Sequence, residues 1–220
     1  MADVDRVRIL VVGDSGVGKS SLVHLICHDE PLLKSSWTVG CSVDVKLYET
    51  SVAQGTTSKT FCIELWEIGG FSGHKGSRSI FYQPCHGLIL VHDLTNWKSH
   101  ANLSKWLTEV TQADQSGTDG GLEAISTDSE HFGADLFPVL IIGTKLDQVG
   151  GVGSLPRRNA LTERTGADSL CVDCLNERQF SPGSAHRPQL HNFFNKVIES
   201  RFSQRNASSV DRRRTSGLTR

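Results

Sequence analysis

The chain has 220 residues, of which 37% are hydrophobic and 21% are charged. A chain of this length and composition folds as one globular domain without disulfide or metal support, which excludes collagen-like, coiled-coil and wholly disordered proteins. Its 23 basic and 24 acidic residues give a formal net charge of −1, so a strongly basic nucleic-acid-binding protein is excluded as well.

Strand and helix patterns alternate along the first half of the chain. The short apolar, β-branched run Arg6–Val12 predicts a buried parallel strand, and residues 20–27 have the apolar spacing of a helix. Apolar residues alternate with polar ones over 42–48 and 59–68, which predicts the two strands of a hairpin.

The second half continues the alternation and predicts the fold class. Residues 87–94, 137–143 and 169–173 predict strands, while 99–112 and 187–202 predict amphipathic helices. Strands that alternate with helices indicate an α/β protein with a mostly parallel sheet and helices on both faces.

Two stretches do not fit this alternation. Residues 113–136 contain six acidic residues and no Lys or Arg, and they are predicted to form a mobile acidic surface insertion. Residues 205–220 contain five Arg and one Asp, and they are predicted to be a disordered basic tail. The folded domain is therefore predicted to span 1–204.

Compartment signals are few. The longest apolar runs are too short to span a bilayer, and the first eight residues lack the apolar core of a signal peptide. A cytoplasmic protein whose six cysteines are free thiols is therefore predicted. The C-x-x-C pair Cys171 and Cys174 has no second pair beside it, so a zinc or redox site is the lesser alternative.

A phosphate-binding loop is the strongest motif. Residues 13–20 read GDSGVGKS and fit G-x-x-x-x-G-K-[ST] without a mismatch, between a predicted strand and a predicted helix. In this context backbone N–H groups and the helix dipole bind phosphate, Lys19 can reach the β- and γ-phosphates, and the Ser20 hydroxyl can ligate Mg²⁺. The alternative is a Gly-rich turn of no chemical use. The predicted phosphate-binding residues are Ser15, Gly16, Val17, Gly18, Lys19, Ser20 and Ser21.

A second motif favours guanine over adenine. Residues 143–147 read GTKLD and follow an apolar strand, at the sheet edge where ligands of parallel sheets bind. The Asp147 carboxylate can accept two N–H groups from guanine, and the stem of Lys145 can cover the base. The alternative role for Asp147 is a helix N-cap.

These motifs, in this order, resemble those of small GTPases of the Rab superfamily, and within it the Rab-like protein 3 group. The matching segments are GDSGVGKSS from Gly13, TVG at 38–40, ELW at 64–66, HG and HDLT within 86–95, and GTKLD. The resemblance implies a P-loop small GTPase fold with a six-stranded, mostly parallel sheet and five helices. It also implies Mg²⁺-dependent binding of GTP and GDP and two switch segments, switch I at 31–41 and switch II at 69–82.

The resemblance also implies individual roles. Thr38 would ligate Mg²⁺ together with Ser20, and Gly70 would offer its N–H to the γ-phosphate. Thr144, Lys145 and Asp147 would read the base. Asp173 and Cys174 would occupy the base-lining loop, where the Cys174 backbone N–H faces the guanine oxygen.

Three residues depart from the family pattern. Phe71 stands where a Gln orients the attacking water, and a phenyl ring forms none of those hydrogen bonds. Glu67 replaces the Asp that holds Mg²⁺ through water, and Thr144 replaces the Asn of the base motif, so metal geometry and base affinity are expected to change. No catalytic residue is assigned, although His74 could orient the water instead. Arg78 is expected to lie past the water site.

The predicted function is a guanine-nucleotide switch that engages protein effectors and regulators through its switch segments, with weak or partner-assisted GTPase activity. One alternative is a pseudo-GTPase scaffold that holds nucleotide without a hydrolysis cycle. A P-loop kinase or ATPase is the third. A homodimer is left open, no nucleic-acid partner is expected, and no lipid anchor is expected because the last cysteine is Cys174.

Overall fold

The fold is built on one six-stranded sheet, seen in a computed structural model that describes residues 4–51, 58–115, 136–150 and 160–215. Strand order is β2-β3-β1-β4-β5-β6, and only the β2–β3 pair is antiparallel. The predicted hairpin and mostly parallel sheet are therefore confirmed. The strands are β1 Arg6–Val12, β2 Cys41–Ser51, β3 Ser58–Ile68, β4 Gly87–Asp93, β5 Val139–Thr144 and β6 Asp168–Cys171.

Helices pack on both faces of the sheet, as predicted. The resemblance implies five, whereas the described residues form six, because Asn102 separates α3 from α4 where one helix over 99–112 is predicted. The break coincides with a tertiary contact, since the Asn102 side chain donates to the Asp14 carboxylate at 2.8 Å. The helices are α1 Lys19–His28, α2 Lys75–Arg78, α3 Trp97–Ala101, α4 Leu103–Gln115, α5 Ala160–Thr165 and α6 His186–Thr215.

The central strand β1 shows why its sequence is apolar at nearly every position. Val7, Ile9 and Val11 pack under α1 and α6, whereas Leu10 and Val12 pack under α4 on the other face. A strand covered on both faces loses the alternation of a half-exposed strand.

The last helix is longer than predicted. It begins at His186 and continues to Thr215, so the structure has helix over 205–215 where a disordered tail is predicted. No Gly or Pro occurs between Pro188 and Gly217, so no helix-breaking residue interrupts this stretch. The remaining tail residues and most of the predicted acidic insertion, 116–135, lie outside the described residues.

Parallel pairing sets the position of the site. Strands β1, β3, β4, β5 and β6 all run in one direction, so the loops that follow them meet at one edge of the sheet. Both sequence motifs lie in these loops.

Candidate functional site

The loop 13–18 curls between β1 and α1 and surrounds the Lys19 amine. Gly16 and Gly18 have φ values of 76° and 92°, the left-handed region that favours glycine. Lys19 Nζ donates to the carbonyl oxygens of Gly13 at 2.9 Å and Asp14 at 2.8 Å. Burial lowers the pKa of Lys19 to about 8, although the Glu67 and Asp14 carboxylates oppose this shift. The only lysine of the motif is thus held over the loop and remains largely protonated at neutral pH.

Three oxygen atoms from different elements meet beside this lysine. Glu67 Oε1 on β3 accepts from Ser20 Oγ at 2.7 Å and from Thr38 Oγ1 at 2.7 Å. The two hydroxyl oxygens lie 3.4 Å apart. The start of α1, switch I and the end of β3 therefore converge on one small cluster of hard oxygen ligands.

Switch II backbone packs directly against the phosphate-binding loop. A side-chain carbon at Gly70 would lie 2.5 Å from Gly13 O and from Ser15 N. One at Gly69 would lie 2.6 Å from Thr38 O, and the Gly69 N–H donates to Gly40 O at 2.9 Å. Only glycines allow the two switch segments and the loop to approach this closely.

A cavity of about 500 Å³ opens beside this cluster. Nine of the residues predicted to bind nucleotide or metal line it: Ser15, Gly16, Gly18, Lys19, Ser20, Ser21, Thr38, Gly70 and Lys145. The remaining lining residues are Ser35, Ser36, Trp37, Glu67 and Phe71. The sequence places the first three in predicted switch I, and it identifies Glu67 and Phe71 as departures from a family pattern. Val17, Thr144, Asp147, Asp173 and Cys174 do not line it.

Thr144 is fully buried and contacts protein rather than the cavity. Its hydroxyl is hydrogen-bonded to the carbonyl oxygen of Val17 and lies 3.1 Å from that of His92. A hydroxyl has one proton, so these two carbonyls share its donor capacity. Thr144 therefore connects the phosphate-binding loop to β4.

Lys145 is anchored by a neighbouring strand. Its Nζ lies 2.6 Å from Asp93 Oδ2, and Asp93 also accepts from the backbone and hydroxyl of Thr95. Burial opposes ionisation of Asp93, but the hydrogen bonds from Lys145 and Thr95 outweigh it and lower the pKa of this carboxyl. The ion pair holds the lysine stem at the side of the cavity.

The loops after β5 and β6 lie side by side. The Val172 N–H donates to Gly143 O at 2.7 Å, and the Leu146 N–H donates to Val172 O at 3.3 Å. Asp147 is exposed, whereas Asp173 accepts from the Leu175 N–H at 2.8 Å within its own turn. The structure thus brings together the two loops that the sequence assigns to the base.

Comparison with known proteins identifies the family. A model of the Roc domain (Ras of Complex, Roc, domain of DAPkinase) matches residues 8–119. Rab-like protein 3 of Mus musculus is 44% identical over 99% of this chain and 96% of the mouse protein. Rab-like protein 3 of Xenopus tropicalis is 46% identical over 93% and 89%. The chain belongs to the Rab-like small GTPases. A plant protein, Small GTPase LIP1 of Arabidopsis thaliana, is 37% identical over 64% of this chain and 42% of its own length.

The position at which the resemblance predicts a water-orienting Gln is aromatic. The Phe71 ring is 46% exposed, lies 6.4 Å from the Trp37 ring of switch I, and meets His74 edge-on at 5.3 Å. The cavity is therefore lined at this position by the apolar ring of Phe71, and His74 packs on that ring.

Arg78 is held away from the cavity. Its guanidinium lies 3.2 Å from a Glu109 carboxylate oxygen and 4.3 Å from the centre of the Trp106 ring, and its side chain is buried. Glu109 also accepts from the Tyr82 hydroxyl at 2.7 Å. This network fixes switch II against α4, a set of contacts that the sequence does not signal.

Asp14 is a further residue that sequence reasoning missed. Its two carboxylate oxygens accept from Trp106 Nε1 and from the Asn102 side chain, both at 2.8 Å. The phosphate-binding loop is therefore braced by the α3–α4 region as well as by Thr144.

Neither cysteine of the C-x-x-C pair has the properties of a reactive thiol. Burial, reinforced by Asp173 and Asp147, raises the pKa of Cys174 to about 12, and burial also raises that of Cys171, so neither thiol is activated. In the described ranges, no group of three or more His, Cys, Asp and Glu side chains could hold a metal ion. Of the helices that the structure describes, none is long and apolar enough to cross a bilayer.

Proposed function

We propose that this Rab-like protein is a guanine-nucleotide switch that binds GTP and GDP with Mg²⁺ in the cavity beside Lys19. The observation that carries the proposal is the convergence of the Ser20, Thr38 and Glu67 oxygens, because it joins α1 to switch I and to the end of β3, directly before switch II. A phosphate chain that binds there would contact switch I through Thr38 and switch II through Gly70, which also lines the cavity.

The phosphate end has the chemistry that a nucleotide–Mg²⁺ complex needs. Lys19 and the backbone of 15–21 would bind the phosphates, and Gly70 would contribute its N–H from switch II. Hydroxyl and carboxylate oxygens are the ligands that Mg²⁺ prefers, so Ser20 and Thr38 fit the roles that the family pattern gives them. Bound Mg²⁺ would supply neutralisation of phosphate charge.

At the base end, fewer protein groups are available to recognise guanine than are available to bind phosphate at the other end. Asp147 is exposed and free to accept the two guanine N–H groups, and the anchored stem of Lys145 would cover one face of the base. The Cys174 backbone, in the loop that begins at Asp173, would face the guanine oxygen. Thr144 would contribute indirectly, through the loop carbonyl that it holds.

Intrinsic hydrolysis is proposed to be slow. Phe71 offers no hydrogen bond to the attacking water, and Arg78 is committed to Glu109. We expect a rate on the order of 10⁻⁴ per second or less, typical of an unassisted small GTPase. Single-turnover assays of the wild type, Phe71→Gln and His74→Ala test this: fast wild-type hydrolysis that collapses in His74→Ala would make His74 catalytic and contradict the slow switch.

Protein partners are proposed to bind the switch segments. Trp37 is 80% exposed and Ile80 is 73% exposed, and Leu33 and Val39 are also largely exposed. Three of these four exposed apolar side chains lie in switch I and one in switch II, and exposed apolar surface of this kind is typical of interaction sites. Cytoplasmic effectors and regulators are the proposed occupants, and a second copy of the chain would be revealed by the molar mass in solution.

The direct test is extraction of nucleotide from the purified protein, followed by chromatography. GDP or GTP in a near-equimolar amount is expected. Adenine nucleotide would favour the kinase or ATPase alternative, and protein that neither carries nor takes up nucleotide would overturn the proposal.

A further inference from the structure

In the family pattern, the carboxylate at the position of Glu67 is separated from the metal by a water molecule. We propose that Glu67 coordinates Mg²⁺ directly, in the same shell as Ser20 and Thr38. This inference rests on the proposed function and assigns a third protein ligand to its metal.

The spacing of the three oxygens fits one face of an octahedral site. Mg²⁺ binds oxygen at about 2.0–2.1 Å in octahedral geometry, so neighbouring ligand oxygens lie about 2.9 Å apart. The separations among Ser20 Oγ, Thr38 Oγ1 and Glu67 Oε1 are 2.7, 2.7 and 3.4 Å. The metal would take the place of the two hydrogen bonds that Glu67 now accepts, and the hydroxyls would keep their protons and direct them away from the metal.

Side-chain length explains why Glu67 can act without a bridging water. The backbone of Glu67 is fixed in the sheet, opposite Val11 of β1 and Ser42 of β2, and the residue is 4% exposed. An Asp at this position would end about one carbon–carbon bond, roughly 1.5 Å, further from the two hydroxyls. The extra methylene of Glu67 removes much of the gap that a water would fill.

The charge of the cluster favours the same assignment. Glu67 is buried near the Lys19 ammonium, which donates to the carbonyl oxygens of Gly13 and Asp14 rather than to Glu67. A buried carboxylate whose oxygen accepts only from neutral hydroxyls gains strongly from a divalent cation. Direct ligation would make nucleotide retention unusually dependent on Mg²⁺.

The test counts the waters on the metal. The full-length chain is loaded with a non-hydrolysable GTP analogue and Mn²⁺, and electron paramagnetic resonance line broadening in ¹⁷O-water reports the bound waters. In the wild type, five of the six metal positions would be filled by Ser20, Thr38, Glu67 and two phosphate oxygens, which leaves one position for water. In Glu67→Asp, two bound waters are expected. Glu67→Gln should also raise the Mg²⁺ concentration that half-retains the nucleotide by about tenfold or more.

The matched control is Glu64→Gln. Glu64 lies on the same strand and its loss changes the net charge equally, but it contacts Arg6 and Trp66 rather than the cluster. This variant should match the wild type in both measurements. Equal water counts in the wild type and Glu67→Asp, with the analogue bound to both, would overturn the role of Glu67 alone, whereas no guanine-nucleotide binding by any variant would overturn the proposed function.

Discussion

The two ends of the candidate site are built differently. At the phosphate end, predicted side chains contact one another and line one cavity, as the Ser20–Thr38–Glu67 cluster shows. At the base end, predicted side chains are engaged with the protein: Thr144 with Val17 and His92, and Asp173 with its own turn. From this difference we expect phosphate and metal to supply most of the affinity, and we expect discrimination between bases to depend on Asp147.

The largest expected effect is at the phosphate end. Lys19→Ala removes the ammonium and its loop contacts, and we expect affinity for fluorescent GTP and GDP to fall on the order of 100-fold, because hydrogen bonds to charged groups each contribute roughly 1.5–3 kcal/mol. Lys98→Ala, an exposed lysine on α3, is the control. Unchanged GTP affinity in Lys19→Ala would contradict the phosphate-loop assignment.

A smaller and base-specific effect is expected at Asp147. Asp147→Asn should weaken guanine binding and improve xanthine binding, by on the order of tenfold, because xanthine presents an acceptor where guanine presents a donor. Competition among GTP, ATP and XTP measures this. Asp168→Asn makes the same chemical change at a surface ion pair with Lys196 and should leave the ranking unchanged. An equal loss for GTP and ATP would show that Asp147 does not contact the base.

The pH dependence of binding separates the two ends further. The pKa of Lys19 in the free protein is about 8, lowered by burial, and bound phosphate would favour its protonated form. Binding therefore takes up a proton above pH 8, and affinity should fall about fivefold between pH 7.5 and 8.8. Titrations at several pH values measure it. Lys19→Ala should retain only the titration of the nucleotide itself, and an identical pH profile in both proteins would contradict the shift.

The smallest expected effect on nucleotide affinity is at Thr144, where the change is in stability instead. Thr144→Val keeps the shape but leaves the Val17 and His92 carbonyls without this donor, at a cost of about 1–3 kcal/mol in the free energy of unfolding without nucleotide. Denaturant unfolding measures the cost, and Thr108→Val, an exposed hydroxyl on α4, is the control. A Thr144→Val protein of normal stability that selectively lost guanine affinity would mean that Thr144 acts on the base.

Local patterns predicted most of the fold. Strand β1 has the predicted bounds, and the phosphate loop lies between a strand and a helix as its motif requires, because both depend on residues adjacent in sequence. The braces on Asp14 and Arg78 could not be predicted, since they join residues far apart in the chain through tertiary packing. The length of α6 was missed because its last turns lack an apolar periodicity.

If the protein is a guanine-nucleotide switch, its two switch segments should differ in mobility between the GDP-bound and GTP-bound states. Amide hydrogen exchange should be compared between protein bound to GDP and protein bound to a non-hydrolysable GTP analogue. We expect slower exchange in 31–41 and 69–82 with the analogue, because Thr38 and Gly70 would contact the additional phosphate and its metal, and we expect unchanged exchange across β1 and β4. Indistinguishable exchange in both switch segments would contradict a switch and favour a scaffold that holds nucleotide structurally.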